Sequence, residues 1–158
     1  VRRGARLGVD VGKARVGVAR SDADGMLAMP VETVQRGNDT EAAVRRVLEL
    51  AEEHQTVELV VGLPISLSGN DTPSTQDARD FAALLASGER DVRLVDERLS
   101  TVSAQSAMRA SGRKAVNQRS VIDQAAAVVI LQHALDAERA SGNVPGSIVE
   151  RPAADATP

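Results

Sequence analysis

Three carboxylates in this chain are spaced so that they could do chemistry together. The first, Asp10, sits in Arg6-Leu7-Gly8-Val9-Asp10-Val11-Gly12. Leu7, Val9 and Val11 alternate with Gly8, Asp10 and Gly12, which is the period of a β-strand. An Asp inside a packed strand is costly unless something pairs with it. Gly8 and Gly12 share its face and remove side-chain bulk on either side of it. Such a carboxylate is a metal ligand or a catalytic acid, or else it hydrogen-bonds a neighbouring loop. This stretch alone leaves both readings open.

The other two are Glu97 and Asp123. Glu97 follows the strand expected at Val92-Arg93-Leu94-Val95, where side chains leave a sheet for the crevice at its carboxyl end. Asp123 lies early in a long helix. If that strand neighbours the first and the helix crosses the sheet end, the three carboxylates meet. Like charges so placed repel and raise each other's pKa, so the cluster needs a cation. All-oxygen ligands suit Mg²⁺ or Mn²⁺. Two such ions about 4 Å apart activate a water and stabilise the leaving oxygen of a phosphodiester. Each member has a rival. A one-residue slip in the strand would present Asp96 in place of Glu97. Ser120-Val121-Ile122-Asp123 fits a helix capping box, and spacing alone favours that role for Asp123. Phosphate loops are excluded: Gly12-Lys13-Ala14 lacks the Ser/Thr and the glycine spacing of a Walker motif, and no GxGxxG is present.

The positioning elements can be read from periodicity. Lys13-Ala14 is a tight turn into a second strand over Arg15–Arg20, which must pair antiparallel with the first. Asp22-Ala23-Asp24-Gly25 is a polar turn, and Met26–Val34 is a third strand whose Pro30 marks an edge or a bulge. Asn38-Asp39-Thr40 caps a helix bearing Val44, Val47, Leu48 and Ala51 on one face and ending at His54. His54 reads as a C-terminal helix residue, not a metal ligand. Val57–Val61 is a buried parallel strand, closed by Gly62-Leu63-Pro64. Thr72-Pro73 opens a helix with Ala78, Phe81, Ala82 and Leu85 inward. After the strand before Glu97, Ser100 or Thr101 caps a short helix, and a long helix runs from about Gln118 to Ala140 with Ile122, Ala125, Ala126, Val129, Ile130 and Ala134 inward and His133 outward. The order βββαβαβ, then helices, is that of a ribonuclease H-like α/β fold. It has a mixed five-stranded sheet, an antiparallel three-strand meander plus two parallel strands, flanked by helices. Residues 1–140 form this one domain, and 141–158, rich in Gly, Pro, Ala and Asp, read as a disordered tail.

Composition narrows the function. In 158 residues Phe81 is the one aromatic, so stacking bases on several rings is excluded. There is no cysteine, hence no disulfide, thiolate site or cysteine nucleophile. No apolar run spans a membrane and no signal-peptide core leads the chain, so a cytoplasmic protein is expected. The net charge is −3, but its distribution is uneven. Arg2, Arg3, Arg6, Lys13, Arg15 and Arg20 face one acid, Asp10, and Arg98, Arg109, Arg113, Lys114 and Arg119 face none. The two blocks make one basic face if the fold joins them. Otherwise they are ordinary solvated surface, which charge alone favours.

Several motifs taken together resemble the YqgF/RuvX family of ribonuclease H-like proteins, described both as Holliday-junction resolvases and as pre-16S rRNA nucleases. They are Leu7-Gly8-Val9-Asp10-Val11-Gly12 with Arg15-Val16-Gly17-Val18-Ala19 and Ser21-Asp22, then Val60-Val61-Gly62-Leu63-Pro64 with Gly69, then Asp96-Glu97-Arg98-Leu99-Ser100-Thr101, and finally Asp123 with Ala125-Ala126 and Ile130-Leu131-Gln132. The resemblance covers nearly everything from Arg6 to Leu135. It implies that Asp10, Glu97 and Asp123 are the catalytic, metal-binding triad, choosing Glu97 over Asp96 and overriding the cap reading of Asp123. Where many relatives have Asp-Ser-Ala, this chain has Asp123-Gln124-Ala125.

A metal-dependent endonuclease using Mg²⁺ or Mn²⁺, two ions in all, is therefore expected. Its substrate is structured RNA or branched DNA, and the resemblance implies 5′-end maturation of pre-16S rRNA on the small-subunit precursor. Holliday-junction resolution and a non-catalytic nucleic-acid scaffold are the alternatives. Lys13, Arg15, Arg98, Arg113, Lys114 and Arg119 are the expected phosphate contacts. A monomer or weak homodimer with no membrane association is expected. A sugar-kinase or actin-like ATPase begins with a similar strand and hairpin but needs two such domains.

Overall fold

The computed structural model describes residues 2–66, 68–97 and 115–150. Its strands are β1 (Arg6–Val11), β2 (Arg15–Ser21), β3 (Ala28–Gln35), β4 (Glu58–Leu63), β5 (Asp91–Asp96) and β6 (Ser147–Ile148). Its helices are α1 (Thr40–Glu53), α2 (Pro73–Leu85) and α3 (Ala115–Ser141). The expected short helix after Ser100 lies outside the described residues.

Alternation builds the sheet, in the order β3-β2-β1-β4-β5-β6. β1 pairs antiparallel with β2 and parallel with β4, and β4 pairs parallel with β5. The meander and the parallel pair are thus those expected. β3 is an edge strand, and its register against β2 shifts between Val18 and Ala19, next to Pro30. Pro30 therefore sits at both an edge and a bulge, where its missing N–H costs least. The sheet has six strands, not five. β6 pairs antiparallel with β5, the Val149 N–H donates to the Val92 carbonyl at 2.8 Å, and Val149 packs on the core. The expectation of a structureless segment from Ser141 therefore fails at 147–149. Ile148 is half exposed, so composition carries little trace of the strand, whose backbone is held by the open edge of β5.

Two apolar layers sandwich the sheet. On one face Leu7, Val9, Val16, Val18, Leu59 and Val61 meet α1 and α2. On the other, Ala19, Val60 and Val95 meet Ala127, Ile130, Leu131, Ala134 and Leu135 of α3. The α3 face is turned slightly from the expected one: Ala127, Leu131 and Leu135 are fully buried. The cause is Gly8, whose absent Cβ would stand 2.8 Å from the Leu131 Cβ and 3.0 Å from the Ala127 carbonyl. The bulk missing at Gly8 admits the helix and does not leave open space beside Asp10.

The caps are as expected. The Asp39 carboxylate accepts from the Ala42 N–H at 3.0 Å, and Thr72 forms a capping box with Thr75. The Thr75 hydroxyl also reaches the Pro64 carbonyl, joining the α2 start to the end of β4. Thr72→Ala is expected to cost about 1 kcal/mol of stability, checked by chemical denaturation. No change would mean the box is redundant with that second bond.

The basic N-terminal stretch does not form one face. Arg2 bridges Glu58 (3.0 Å) and Glu138 (3.1 Å), Arg6 lies 3.6 Å from Glu138, and Arg93 lies 3.1 Å from Glu58. Arg3 pairs with Asp24. Arg6 and Glu58 open β1 and β4, so this network, buried at Arg6, Glu58 and Glu138, occupies the end of the sheet opposite Asp10. The Arg2 hydrogen bonds hold Glu138 down at about 2, so this carboxylate stays ionised far into acid.

Candidate active site

The parallel strands β1, β4 and β5 bring their carboxyl ends to one edge of the domain, and α3 crosses their face. Asp10 is the penultimate residue of β1, the central position at that edge. Across β2 its register partner is Gly17. Continuing the Val9–Val61 pairing by one residue sets Asp10 level with Gly62 of β4. Asp10 is thus flanked by a glycine on each neighbouring strand.

Each glycine admits one of the other carboxylates. A Cβ on Gly17 would collide with the Asp123 backbone carbonyl, so α3 passes against β2 at the position opposite Asp10. A Cβ on Gly62 would stand 2.9 Å from the carboxyl carbon of Glu97, so this side chain folds back over β4 towards Asp10. The Glu97 N–H donates to the Leu63 carbonyl at 3.2 Å, extending the ladder one residue past β5. Glu97 is 7 % exposed, whereas Asp96 is on the surface. The buried carboxyl beside Asp10 is therefore that of Glu97. Nor can Asp123 close a capping box with Ser120: α3 begins at Ala115, and Ser120 is interior to it.

Burial and mutual repulsion both act on these carboxyls. Burial, then repulsion from Asp123, pushes Asp10 from 3.8 up to about 7. Burial, then Asp10, then Asp96 push Glu97 from 4.5 up to about 8. Glu97 Oε2 is buried without a hydrogen-bond partner. An orphaned carboxylate oxygen next to a second raised carboxyl fits a hard divalent cation. In the side-chain arrangement seen, no three acidic or histidine side chains among the described residues converge on one ion. Asp123 is engaged elsewhere: its Oδ2 accepts from Arg15 Nε at 2.7 Å.

The hairpin carrying Lys13 and Arg15 is anchored by Arg36. This side chain donates to the Gly12 carbonyl at 3.0 Å, pairs with both Asp77 oxygens at 2.7 and 2.8 Å, and lies 5.2 Å from the centre of the Phe81 ring. The bulk missing at Gly12 makes room for the Arg15 carbonyl, 2.5 Å from where its Cβ would be. Gln124 reaches over Gly17 to its β3 partner Thr33, with Nε2–Oγ1 at 3.0 Å. It ties α3 to the sheet.

The structure thus brings Asp10, Glu97 and Asp123 to one edge, with Lys13 exposed and Arg15 half-buried there. Arg98, Arg113 and Lys114 lie outside the described residues, and Arg119 lies on α3 four residues before Asp123. His54 is the α1 C-cap and His133 is exposed, as expected. Sequence reasoning missed Gly17, Gly62 and Arg36. A glycine inside a strand is a signal of close backbone approach, so the two glycines were accessible to it. Nothing local marks Arg36.

This fold defines the class: a ribonuclease H-like domain. It resembles T. thermophilus RuvC in complex with Holliday junction substrate, with TM-score 0.56 and 17% identity over 89% of this chain and 98% of that one. A second Thermus thermophilus RuvC structure gives TM-score 0.51 at 16% identity over 90% of this chain and 99% of that one. Residues 4–137 match the family described as "RuvX: Holliday junction resolvase", and the chain belongs to that family. A relative from Clavibacter sepedonicus, called "Putative pre-16S rRNA nuclease", is 62% identical over 96% of this chain and 94% of its own length. One of the same name from Nocardioides sp. is 53% identical over 95% of this chain and 99% of its own.

Proposed function

We propose that the chain is a metal-dependent endonuclease that hydrolyses phosphodiester bonds in pre-16S rRNA during 5′-end maturation. The observation that carries the reading is Asp10 on the central strand, flanked by Glu97 and Asp123 across two glycines. Asp10, Glu97 and Asp123 are the residues that would hold Mg²⁺ or Mn²⁺, in a two-ion site. Bound there, the ions supply water activation and stabilisation of the leaving oxygen. Asp10 and Glu97 must shed protons to serve as ligands, so metal loading releases protons and strengthens as pH rises.

Lys13 and Arg15 neutralise backbone phosphates at the site, and Arg98, Arg113, Lys114 and Arg119 are the further candidates for phosphate contacts. With Phe81 alone as an aromatic, and buried, substrate choice rests on backbone shape and not on stacking. The names of the relatives favour a ribosomal RNA precursor, and hence the small-subunit precursor as partner. The family description favours the second reading, a Holliday junction, which needs two symmetric sites and so a dimer. No described helix is long and apolar enough to cross a membrane.

The test is a labelled panel of a pre-16S 5′ leader, a four-way DNA junction and plain single strands, each with Mg²⁺, Mn²⁺ or EDTA. Wild type is expected to cut the leader only with metal. Preferential cutting of the junction transfers the activity to the resolvase reading. Binding without any cleavage transfers it to a non-catalytic scaffold.

A further inference from the structure

We propose that Arg15 is a cation placeholder: it holds Asp123 in the metal-free protein, yields it to the divalent ion, and then turns its freed guanidinium to a substrate phosphate. The inference deepens the metal-dependent reading above and rests on it.

Both partners of the pair have fixed backbones. The Arg15 carbonyl accepts from the Gly12 N–H at 3.0 Å, Arg36 holds the Gly12 carbonyl, and the Arg36 N–H donates to the Ala14 carbonyl at 2.9 Å. Asp123 is set by the contact of its own carbonyl with Gly17. Neither backbone has to move for the pair to open. Only the Arg15 side chain and the Asp123 carboxylate rotate.

The pair is built to be displaced. It is a single-point contact from Nε, and among the described residues Arg15 makes no other side-chain hydrogen bond. Arg15 is 29% exposed and Asp123 21%, and partly exposed ion pairs are weak. The guanidinium of Arg15 offsets the carboxylate of Asp123 alone, and a divalent cation brought to the site competes for that same carboxylate. A hard cation also accepts a carboxylate from each side, which a guanidinium fork cannot do across this site. Once released, Arg15 stands one side chain from the metal ligands, where its planar donors match a phosphate bidentately. Cation arrival and substrate capture are thereby coupled through one side chain.

The experiment is a Mn²⁺ titration of the full chain by calorimetry at constant pH, for wild type, Arg15→Gln and Arg15→Lys, with melting temperatures recorded alongside. Arg15→Gln is expected to bind Mn²⁺ about 5–10-fold more tightly than wild type, while its KM for the cleaved nucleic acid rises by a similar factor. Arg15→Lys is expected to fall between, and stands in for the Gln variant should that fail to fold. Equal or weaker Mn²⁺ affinity in the variants, at an unchanged melting temperature, overturns the placeholder and leaves the nuclease reading intact. Wild type that takes up no Mn²⁺ overturns both.

Discussion

Asp10→Asn is expected to abolish cleavage and, in the same protein, to raise the melting temperature. The substitution keeps the shape of the side chain and removes its charge. Cleavage should fall by at least about 10³-fold, since a residue that holds the reacting constellation acts with its partners as a unit. The stability gain follows from linkage. Asp10 titrates near 3.8 when unfolded and is pushed up to about 7 by burial and by Asp123. The native state therefore binds the proton more tightly than the unfolded state, and native stability falls as pH rises through that window. The cost is absent below the unfolded value and complete above about 7. In EDTA the Asn variant should match wild type near pH 4 and melt on the order of 5 °C higher at pH 8. Mg²⁺ should raise the wild-type melting temperature and leave the variant nearly unmoved. Circular dichroism or calorimetry suits the measurement, because Phe81 is the only aromatic reporter. A variant that melts lower than wild type at pH 8 would give Asp10 a stabilising partner in the folded state and sink this account.

Gly17→Ala is expected to be the most damaging glycine-to-alanine change among the described residues. A Cβ there meets the backbone carbonyl of Asp123, and neither side can yield by a rotamer change. Either β2 bends or α3 lifts off the sheet. Overpacking of this kind costs about 3 kcal/mol, or roughly 10 °C in melting temperature for a domain of this size. The loss of activity should exceed the loss of folded protein. Gly17 lies opposite Asp10, so lifting α3 carries Asp123 away from it and also strains the Gln124–Thr33 bond. Denaturant midpoints and Mn²⁺-dependent cleavage, both measured where the variant is fully folded, separate the two effects. Stability within about 0.5 kcal/mol of wild type would show that the close approach of α3 to β2 is not what positions Asp123.

The two variants probe different links of one chain. Asp10 carries the charge that the site must neutralise, and Gly17 sets the distance at which Asp123 shares it. Gly62 does the same for Glu97 on the other side, where the Ile130 side chain also closes in. Placing small residues on the strands beside an acidic one lets side chains from a helix and from a strand end converge without a loop to carry them.

Local pattern determined much of this protein. Alternation in β1 and β2 and the spacing of Val44, Val47 and Ala51 on α1 are properties of adjacent residues, so they survive in a single sequence. So are the caps at Asp39 and Thr72, and the isolation of Asp10 among apolar residues. The tertiary structure decided what depends on residues far apart in sequence. It buried Glu97 and exposed Asp96, because the β4–β5 register sets which side chain folds over Gly62. It started α3 at Ala115, which removes Ser120 as a cap and leaves Asp123 free to face β2. It sent Arg2 and Arg6 to Glu58 and Glu138 at the opposite end, although they precede Asp10 by only a few residues, because consecutive strand residues run the full depth of the sheet. It paired Arg15 with Asp123 across 108 positions of chain. Periodicity is written in neighbours, whereas register and ion pairing are settled when separate elements compete for the same space and charge.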